Sequence, residues 1–251
     1  MRSYSAIIIT RNREEKLKKA LKSLNILPEV SEITIIDNNS GNELHIPSSV
    51  KKITVITNSS TLGVSENRNK GIKLASSNGI IFLDDDAFIE KINLSEISMY
   101  LEAHEDVGII APRLFYPNGK LQESARSYPT IPALLWRGLK LYKLYEPSWY
   151  KKYVYPLPET TIHPTEVSWA IGACLIVRKE VFDAIGLFDE YYTSVYDDVD
   201  FCRRTQHAGF KVVYWPDSKV IHEYTRTSAK IFTKATIRHI KSIVRFLLSK
   251  N

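Results

Sequence analysis

Four short apolar runs alternate with helical patterns through the first ninety residues, and few folds accommodate that alternation besides a parallel sheet covered by helices. Tyr4–Ile9 reads as a strand, and Glu14–Ser23 reads as a helix with Leu17, Ala20, Leu21 and Leu24 recurring at helical spacing. Glu32–Asp37 is a second strand, ended by the turn-forming Asn38-Asn39-Ser40-Gly41, and Ile53–Thr57 is a third. Ser65 stands where it would cap a helix running to Ala75, with an inward stripe of Val64, Arg68, Gly71, Ile72 and Ala75. Ile80–Leu83 is apolar throughout, as expected of a strand covered on both faces. The pattern predicts an α/β fold with a mostly parallel, doubly wound sheet and helices on both faces. Ligands gather at the carboxyl ends of such strands, where Asp37 and Asp84 stand.

The second half is less regular. Val107–Pro112 reads as a strand, Gly119–Ser127 as part of a hairpin, and Val167–Arg178 as a strand-like run interrupted at Gly172. Asp197–His207 should be a helix ending at Gly209, followed by strands at Lys211–Trp215 and Val220–His222. Ile231–Leu248 closes the chain as a basic amphipathic helix. The division expected is one domain over residues 1–225 and the closing helix over 226–251.

Charge follows the same division. The net charge is +6, but residues 226–251 hold seven Lys or Arg and no acid, which leaves the first 225 residues at −1. A basic tail on a neutral domain points to a membrane surface or an anionic partner, and away from nucleic acid. The first residues lack the pattern of a cleaved signal, and every apolar run is too short to span a bilayer. Cys174 and Cys202 sit in apolar or helical patterns, as reduced core thiols do, so the expected location is the cytosol.

Two acidic clusters stand out. Asp84-Asp85-Asp86 follows a buried strand directly, and three adjacent carboxylates repel one another. A divalent cation such as Mg²⁺ or Mn²⁺ removes that repulsion, whereas the plain alternative is an acidic surface turn. Asp197-Asp198-Val199-Asp200 opens a helix, where one acid suits the macrodipole but three exceed what capping needs. A carboxylate held there can take a proton from an attacking hydroxyl. Arg68 falls on its helix's apolar stripe, where a lone guanidinium is costly; a diphosphate or an internal Asp would resolve the cost. His222 ends a strand as a structural residue or as a neutral imidazole ligand to the same cation.

Taken together, from Ile7 to about Thr227, these segments resemble the family 2 glycosyltransferases of GT-A fold. Ile7-Ile8-Ile9-Thr10-Arg11-Asn12-Arg13 is similar to the family's opening strand, and Ile35-Ile36-Asp37-Asn38-Asn39-Ser40 to its second. Asn67-Arg68-Asn69-Lys70-Gly71 resembles the segment that meets the diphosphate, and Asp84-Asp85-Asp86 the metal-binding acids. Trp169-Ala170-Ile171-Gly172-Ala173-Cys174, with Gly186-Leu187-Phe188-Asp189-Glu190, resembles the acceptor-side signature. Asp197-Asp198 stands where the family has Glu-Asp, a departure at 197 that leaves the second acid in place. Gln122-Glu123-Ser124-Ala125-Arg126-Ser127-Tyr128-Pro129, with His222–Arg226 and the closing helix, resembles bacterial rhamnosyltransferases of surface-polysaccharide assembly.

The resemblance implies an inverting transferase using a nucleoside-diphosphate sugar, dTDP-rhamnose or a UDP-hexose, and a glycan or lipid-linked glycan acceptor. Asp84, Asp86 and His222 would hold Mg²⁺ or Mn²⁺. Thr10, Arg11, Asn12, Asp37, Arg68, Asp84 and Asp85 would bind the donor. Trp169, Gly172 and Arg126 would face the acceptor, with Asp198 as base and Asp197 beside it. The rival readings are a metal-dependent phosphoryl or nucleotidyl transferase and a non-catalytic nucleotide-sugar-binding or membrane-associated scaffold. No Gly-x-x-x-x-Gly-Lys-Ser/Thr loop supports an ATPase of that type. The aromatic and basic residues between Leu134 and Tyr155, with the closing helix, suit peripheral contact with the cytoplasmic face of a membrane.

Overall fold

In the computed structural model, which describes residues 2–50, 52–154, 157–158, 160–224 and 234–249, the alternation becomes a layered α/β fold. The first half runs β1 (Tyr4–Thr10), α1 (Glu14–Asn25), β2 (Val30–Asp37), β3 (Ile53–Thr57), α2 (Val64–Leu74) and β4 (Gly79–Leu83). Next come β5 (Ala87–Lys91), α3 (Leu94–Ala103), β6 (Val107–Phe115), β7 (Ala125–Arg126), α4 (Ile131–Gly138) and α5 (Ser148–Val154). The chain continues through β8 (Thr165–Glu166), β9 (Trp169–Ala170), β10 (Cys174–Arg178) and α6 (Lys179–Ile185). It closes with α7 (Asp197–His207), β11 (Lys211–His222) and α8 (Lys234–Leu248).

The main sheet has the order β3-β2-β1-β4-β10-β6-β11-β5, with β8 pairing β11 at the side. β3, β2, β1 and β4 are mutually parallel, as are β6 and β11, whereas β10 runs antiparallel between β4 and β6. Successive residues feed opposite cores. Ile8, Ile81 and Leu83 pack with Leu17 and Leu21 of α1 and Ile97 and Leu101 of α3. Ile7, Ile80 and Phe82 pack on the other face with Val181 of α6 and Phe201 of α7. That two-residue period is what puts helices on both faces of an apolar strand.

Several local expectations need correction. Ser65 does not cap α2; Gly63 holds the cap position, and the Ser65 hydroxyl donates instead to the Tyr192 carbonyl (2.7 Å). Lys211–Trp215 and Val220–His222 are one strand, because a register shift between Trp215 and Val220 absorbs Pro216 without breaking the pairing with β6. The hairpin expected at 119–127 reduces to a single Phe115–Leu121 bridge, and Ala125–Arg126 pairs instead with Trp169–Ala170 in a separate two-stranded sheet. Gly172 therefore divides strands of two different sheets. The 225/226 boundary and the start of the closing helix at 231–233 lie outside the described residues. No helix among the described residues is long and apolar enough to cross a membrane.

Candidate active site

The site forms where the carboxyl ends of β4 and β11 meet the amino end of α7. β4 delivers Asp84-Asp85-Asp86 into a tight turn, closed by the Ala87 amide donating to the Asp84 carbonyl (3.0 Å). β5 then pairs antiparallel with β11 and puts His222 opposite Ala87, so a residue 138 positions later in the chain lands beside the acids. His222 Nε2 lies 3.4 Å from Asp86 Oδ1 and 4.0 Å from Asp84 Oδ2. One ligand atom from each of Asp84, Asp86 and His222 can be chosen so that all lie within 4.8 Å of one another.

This donor set, two carboxylates and an imidazole, fits a hard divalent cation. The buried His222 ring donates from Nδ1 to Gln122 Oε1 (2.7 Å), which turns Nε2 toward the two acids. Such an outer partner fixes the tautomer a metal ligand needs. Partial desolvation in the cleft pushes the Asp84 carboxyl, whose side chain is still 44% exposed, up to about 6, Asp86 and Asp85 adding to the rise while Arg68 and His222 oppose it. A bound cation would reverse that shift.

Asp85 points elsewhere. It accepts from the Thr10 hydroxyl (2.8 Å) and from Arg13 Nη1 (3.1 Å), tying the acidic turn to the end of β1. Thr10 and Asp37 are register partners in β1 and β2. The Asp37 carboxylate accepts from the Ser40 amide (3.0 Å), and the Asn12 side-chain carbonyl accepts from Gly41 (2.8 Å). Asn12 thus sits over the Asn38–Gly41 turn, and Thr10, Asn12, Asp37 and Asp85, all expected to bind the donor, lie together at the carboxyl ends of β1 and β2.

Across the cleft, α7 divides its three acids by partner. Asp197 forms a buried ion pair with Arg68, whose other nitrogen donates to the Gly172 carbonyl (2.9 Å). Asp200 pairs with Arg204 (2.8 Å) and Arg203 (3.6 Å) on its own helix. Asp198 alone has no cationic partner within salt-bridge distance among the described residues; it accepts from the backbone amides of Gly172 (3.0 Å) and Val199 (2.8 Å). Desolvation, with the Asp197 carboxylate beside it, holds the Asp198 carboxyl above the usual carboxylate range. The internal-Asp alternative for Arg68 is therefore realised, although the guanidinium also stands 3.9 Å from Asp84 and links the two ends of the site.

Both ends line one cleft of about 430 Å³, with Arg68, Asp84, Asp86, Asp198, Trp169 and His222 on its walls. Arg126 also lines it and lies over the Trp169 ring at 5.7 Å. Thr10, Arg11, Asn12, Asp37 and Asp85 lie outside these walls, toward the β1–β2 edge. Two participants escaped the sequence reading. Arg13 lines the cleft and bonds Asp85 and Asp86, and Gln122 orients His222. Arg13 looked like the end of a strand motif, and only the pairing of β11 with β6, with the Phe115–Leu121 bridge beside it, brings Gln122 to His222.

Gly172 holds the middle. A Cβ there would lie 2.6 Å from Arg68 Nη2 and 2.9 Å from Nη1, and the guanidinium is pinned by Asp197. Gly172→Ala should cost about 1–3 kcal/mol, as overpacking does. At roughly 2–4 °C per kcal/mol for a chain of this size, thermal denaturation should show a clear fall in Tm. An unchanged Tm would mean that the guanidinium can move aside freely.

A doubly wound sheet with an acidic turn at one strand end, facing a carboxylate over an open cleft, defines the GT-A class of fold. The chain belongs to glycosyl transferase family 2, whose family model matches residues 5–186. It is 25% identical over 257 residues to the rhamnosyltransferase WbbL of Escherichia coli K12, covering 97% of this chain and 92% of that protein. It is 29% identical over 147 residues to the N-acetylglucosaminyl-diphospho-decaprenol L-rhamnosyltransferase of Mycobacterium tuberculosis, a match over 57% of this chain and only 46% of that protein. Among solved structures it is similar to GalNAc-T7 with UDP, GalNAc and Mn²⁺, with a TM-score of 0.68 and 16% identity over 97% of this chain and 48% of that one. It is also similar to S. aureus TarS 1-349 in complex with UDP-GlcNAc, with a TM-score of 0.62 and 15% identity over 99% of this chain and 68% of that one.

Proposed function

We propose that this protein is an inverting glycosyltransferase that moves a sugar from a nucleoside diphosphate to a hydroxyl of a lipid-linked glycan. The observation that carries the reading is the division of acids in α7: among the described residues, Asp198 is the one of the three with no ion-pair partner, and it lines the cleft with Asp84, Asp86 and His222. Asp84, Asp86 and His222 would hold Mg²⁺ or Mn²⁺, which when bound neutralises the charge developing on the leaving diphosphate. Thr10, Arg11, Asn12, Asp37 and Asp85 bind the nucleoside end at the β1–β2 edge. Arg68 and Arg13 add positive charge beside the acids. Asp198 takes the acceptor proton as the new glycosidic bond forms, while the bond to the diphosphate breaks on the opposite face of the sugar. One displacement of this kind inverts the anomeric centre.

Trp169 and Arg126 form a flat, cationic wall suited to a sugar ring and a phosphate. The relatives that carry rhamnosyltransferase names support a deoxyhexose donor such as dTDP-rhamnose, with a UDP-hexose as the alternative. The N-acetylglucosaminyl-diphospho-decaprenol in the name of the M. tuberculosis relative supports a polyprenyl-diphosphate-linked acceptor here, and with it a role in surface-polysaccharide synthesis is part of the proposal. A scaffold that merely binds nucleotide sugars has no use for an unpaired carboxylate across from the donor.

The test is a thermal-shift screen of nucleotide sugars with Mn²⁺, followed by turnover with the best donor. Ligand at about a hundred times Kd should stabilise by about 2.7 kcal/mol. Nucleoside diphosphate should then be released only when the glycan acceptor is added. Stabilisation without acceptor-dependent release would favour the scaffold.

A further inference from the structure

α8 presents three faces where an ordinary packed amphipathic helix presents two. Phe246 and Ser242 are buried against the domain. Phe246 takes the Arg203 guanidinium over its ring at 3.9 Å and stands near Tyr128 and Tyr196. Arg203 also donates to the Phe246 carbonyl (2.9 Å) and to the Ser249 hydroxyl. That face anchors the helix. Ile237, Ile240, Val244 and Leu247, apolar residues at helical spacing, are 40–56% exposed, and Leu248 is 74% exposed. At 100° per residue they form one ridge, with Lys241, Arg245 and Arg238 following on its far side.

A second apolar surface stands beside it. Ile131, Leu135 and Leu139 recur every fourth residue along α4 and its C-terminal cap and are 60–69% exposed, and Leu144, Tyr145 and Trp149 follow, also exposed. Lys140, Lys143, Lys151 and Lys152 are interspersed and exposed, against the single acid Glu146. Leu134 and Arg137 of α4 line the same cleft as His239 of α8 and Asp198, so the two surfaces flank the mouth of the site.

We infer that the α8 ridge and the α4–α5 surface together form a docking face for an anionic lipid bilayer, which holds the cleft mouth at the membrane. Partly buried aromatic rings, exposed aliphatic side chains and a basic border match the interfacial zone, where apolar groups enter and cations meet lipid phosphates. Charge selects the bilayer over a second copy of the chain. Arg245 is already paired with Asp189 (3.2 Å), but a symmetric pairing would bring Arg238 and Lys241 of two copies together with no acid in residues 226–251 to offset them. Binding of this kind is separate from the transfer reaction and needs neither donor nor acceptor.

The experiment is vesicle co-sedimentation of the full chain. Vesicles of phosphatidylcholine with about 30% phosphatidylglycerol are compared with phosphatidylcholine alone, at low salt and at about 0.5 M salt. Three variants are run: Ile240→Glu with Val244→Glu, Leu135→Glu with Leu139→Glu, and Arg238→Glu with Lys241→Glu. All six positions are exposed, and thermal denaturation checks that each variant is folded. The wild type should pellet with anionic vesicles at low salt and be released by high salt, while each variant should lose about tenfold in the bound fraction. Absence of pelleting at low salt overturns the inference. So does equal pelleting by wild type and the ridge variant, or a concentration-dependent dimer in sedimentation velocity that the ridge variant abolishes.

Discussion

Asp198→Asn should lower turnover by about a hundredfold or more while leaving donor affinity nearly unchanged, the signature of a lost general base. The amide keeps the size of the carboxylate, but Gly172 and Val199 donate to different carboxylate oxygens, so its one carbonyl oxygen keeps one of those two bonds and a small fall in Tm should accompany the variant. Its inability to take a proton is the intended change. Asp197→Asn is the instructive contrast. It breaks a buried ion pair and leaves the Arg68 guanidinium without its carboxylate partner, so it should lower stability as well as rate. The pH profile provides a second readout. The raised Asp198 pKa places the acid limb of kcat above the ordinary carboxylate value of about 3.9. The rate should therefore rise with pH as Asp198 ionises, and the residual rate of the Asn variant should lose that limb. Steady-state kinetics decides the matter; turnover within a few-fold of wild type removes Asp198 from the role.

What could be read in advance follows from how local each signal is. β1, β2, β3 and β4 carry their own period and turn residues, so their positions along the chain were nearly complete in the sequence. The antiparallel β10 between β4 and β6 was not readable, because an apolar buried strand looks the same in either direction. Asp84 and Asp86 declared themselves through adjacency to a buried strand, whereas Gln122 acts on His222 across a hundred residues and leaves no local pattern. The acids of α7 were visible as a cluster, but their partners were not. Arg68 lies 129 positions from Asp197, and only packing shows that one of the three acids is left for chemistry. The closing helix was legible as amphipathic, yet its periodicity could not say which apolar residues face the domain. Phe246 and Ser242 anchor it, and most of the aliphatic stripe stays outside.

Asp86→Ala should reduce Mn²⁺-dependent affinity for the nucleoside diphosphate by about a hundredfold or more, since removing even an outer partner of a metal ligand costs 10- to 100-fold. Asp86 is the more buried of the two carboxylates and the closer to His222, so it does most to define the centre of the ligand set. The fold has little reason to fail. The Glu223 amide donates to the Asp86 backbone carbonyl, which the substitution keeps, and deleting one of three neighbouring acids relieves repulsion while Arg13 retains Asp85. Metal-free Tm should therefore stay close to that of the wild type. Calorimetry with Mn²⁺ and nucleoside diphosphate also tests the electrostatics of the wild-type site. Asp84 must be ionised to bind a cation, and its carboxyl stands at about 6 in the metal-free protein. Protons therefore compete as pH falls through that value, so affinity should weaken and binding should release protons near neutrality. Unchanged Mn²⁺-dependent affinity in the Ala variant would place the cation elsewhere and leave the acidic turn as a structural link between β1 and β4.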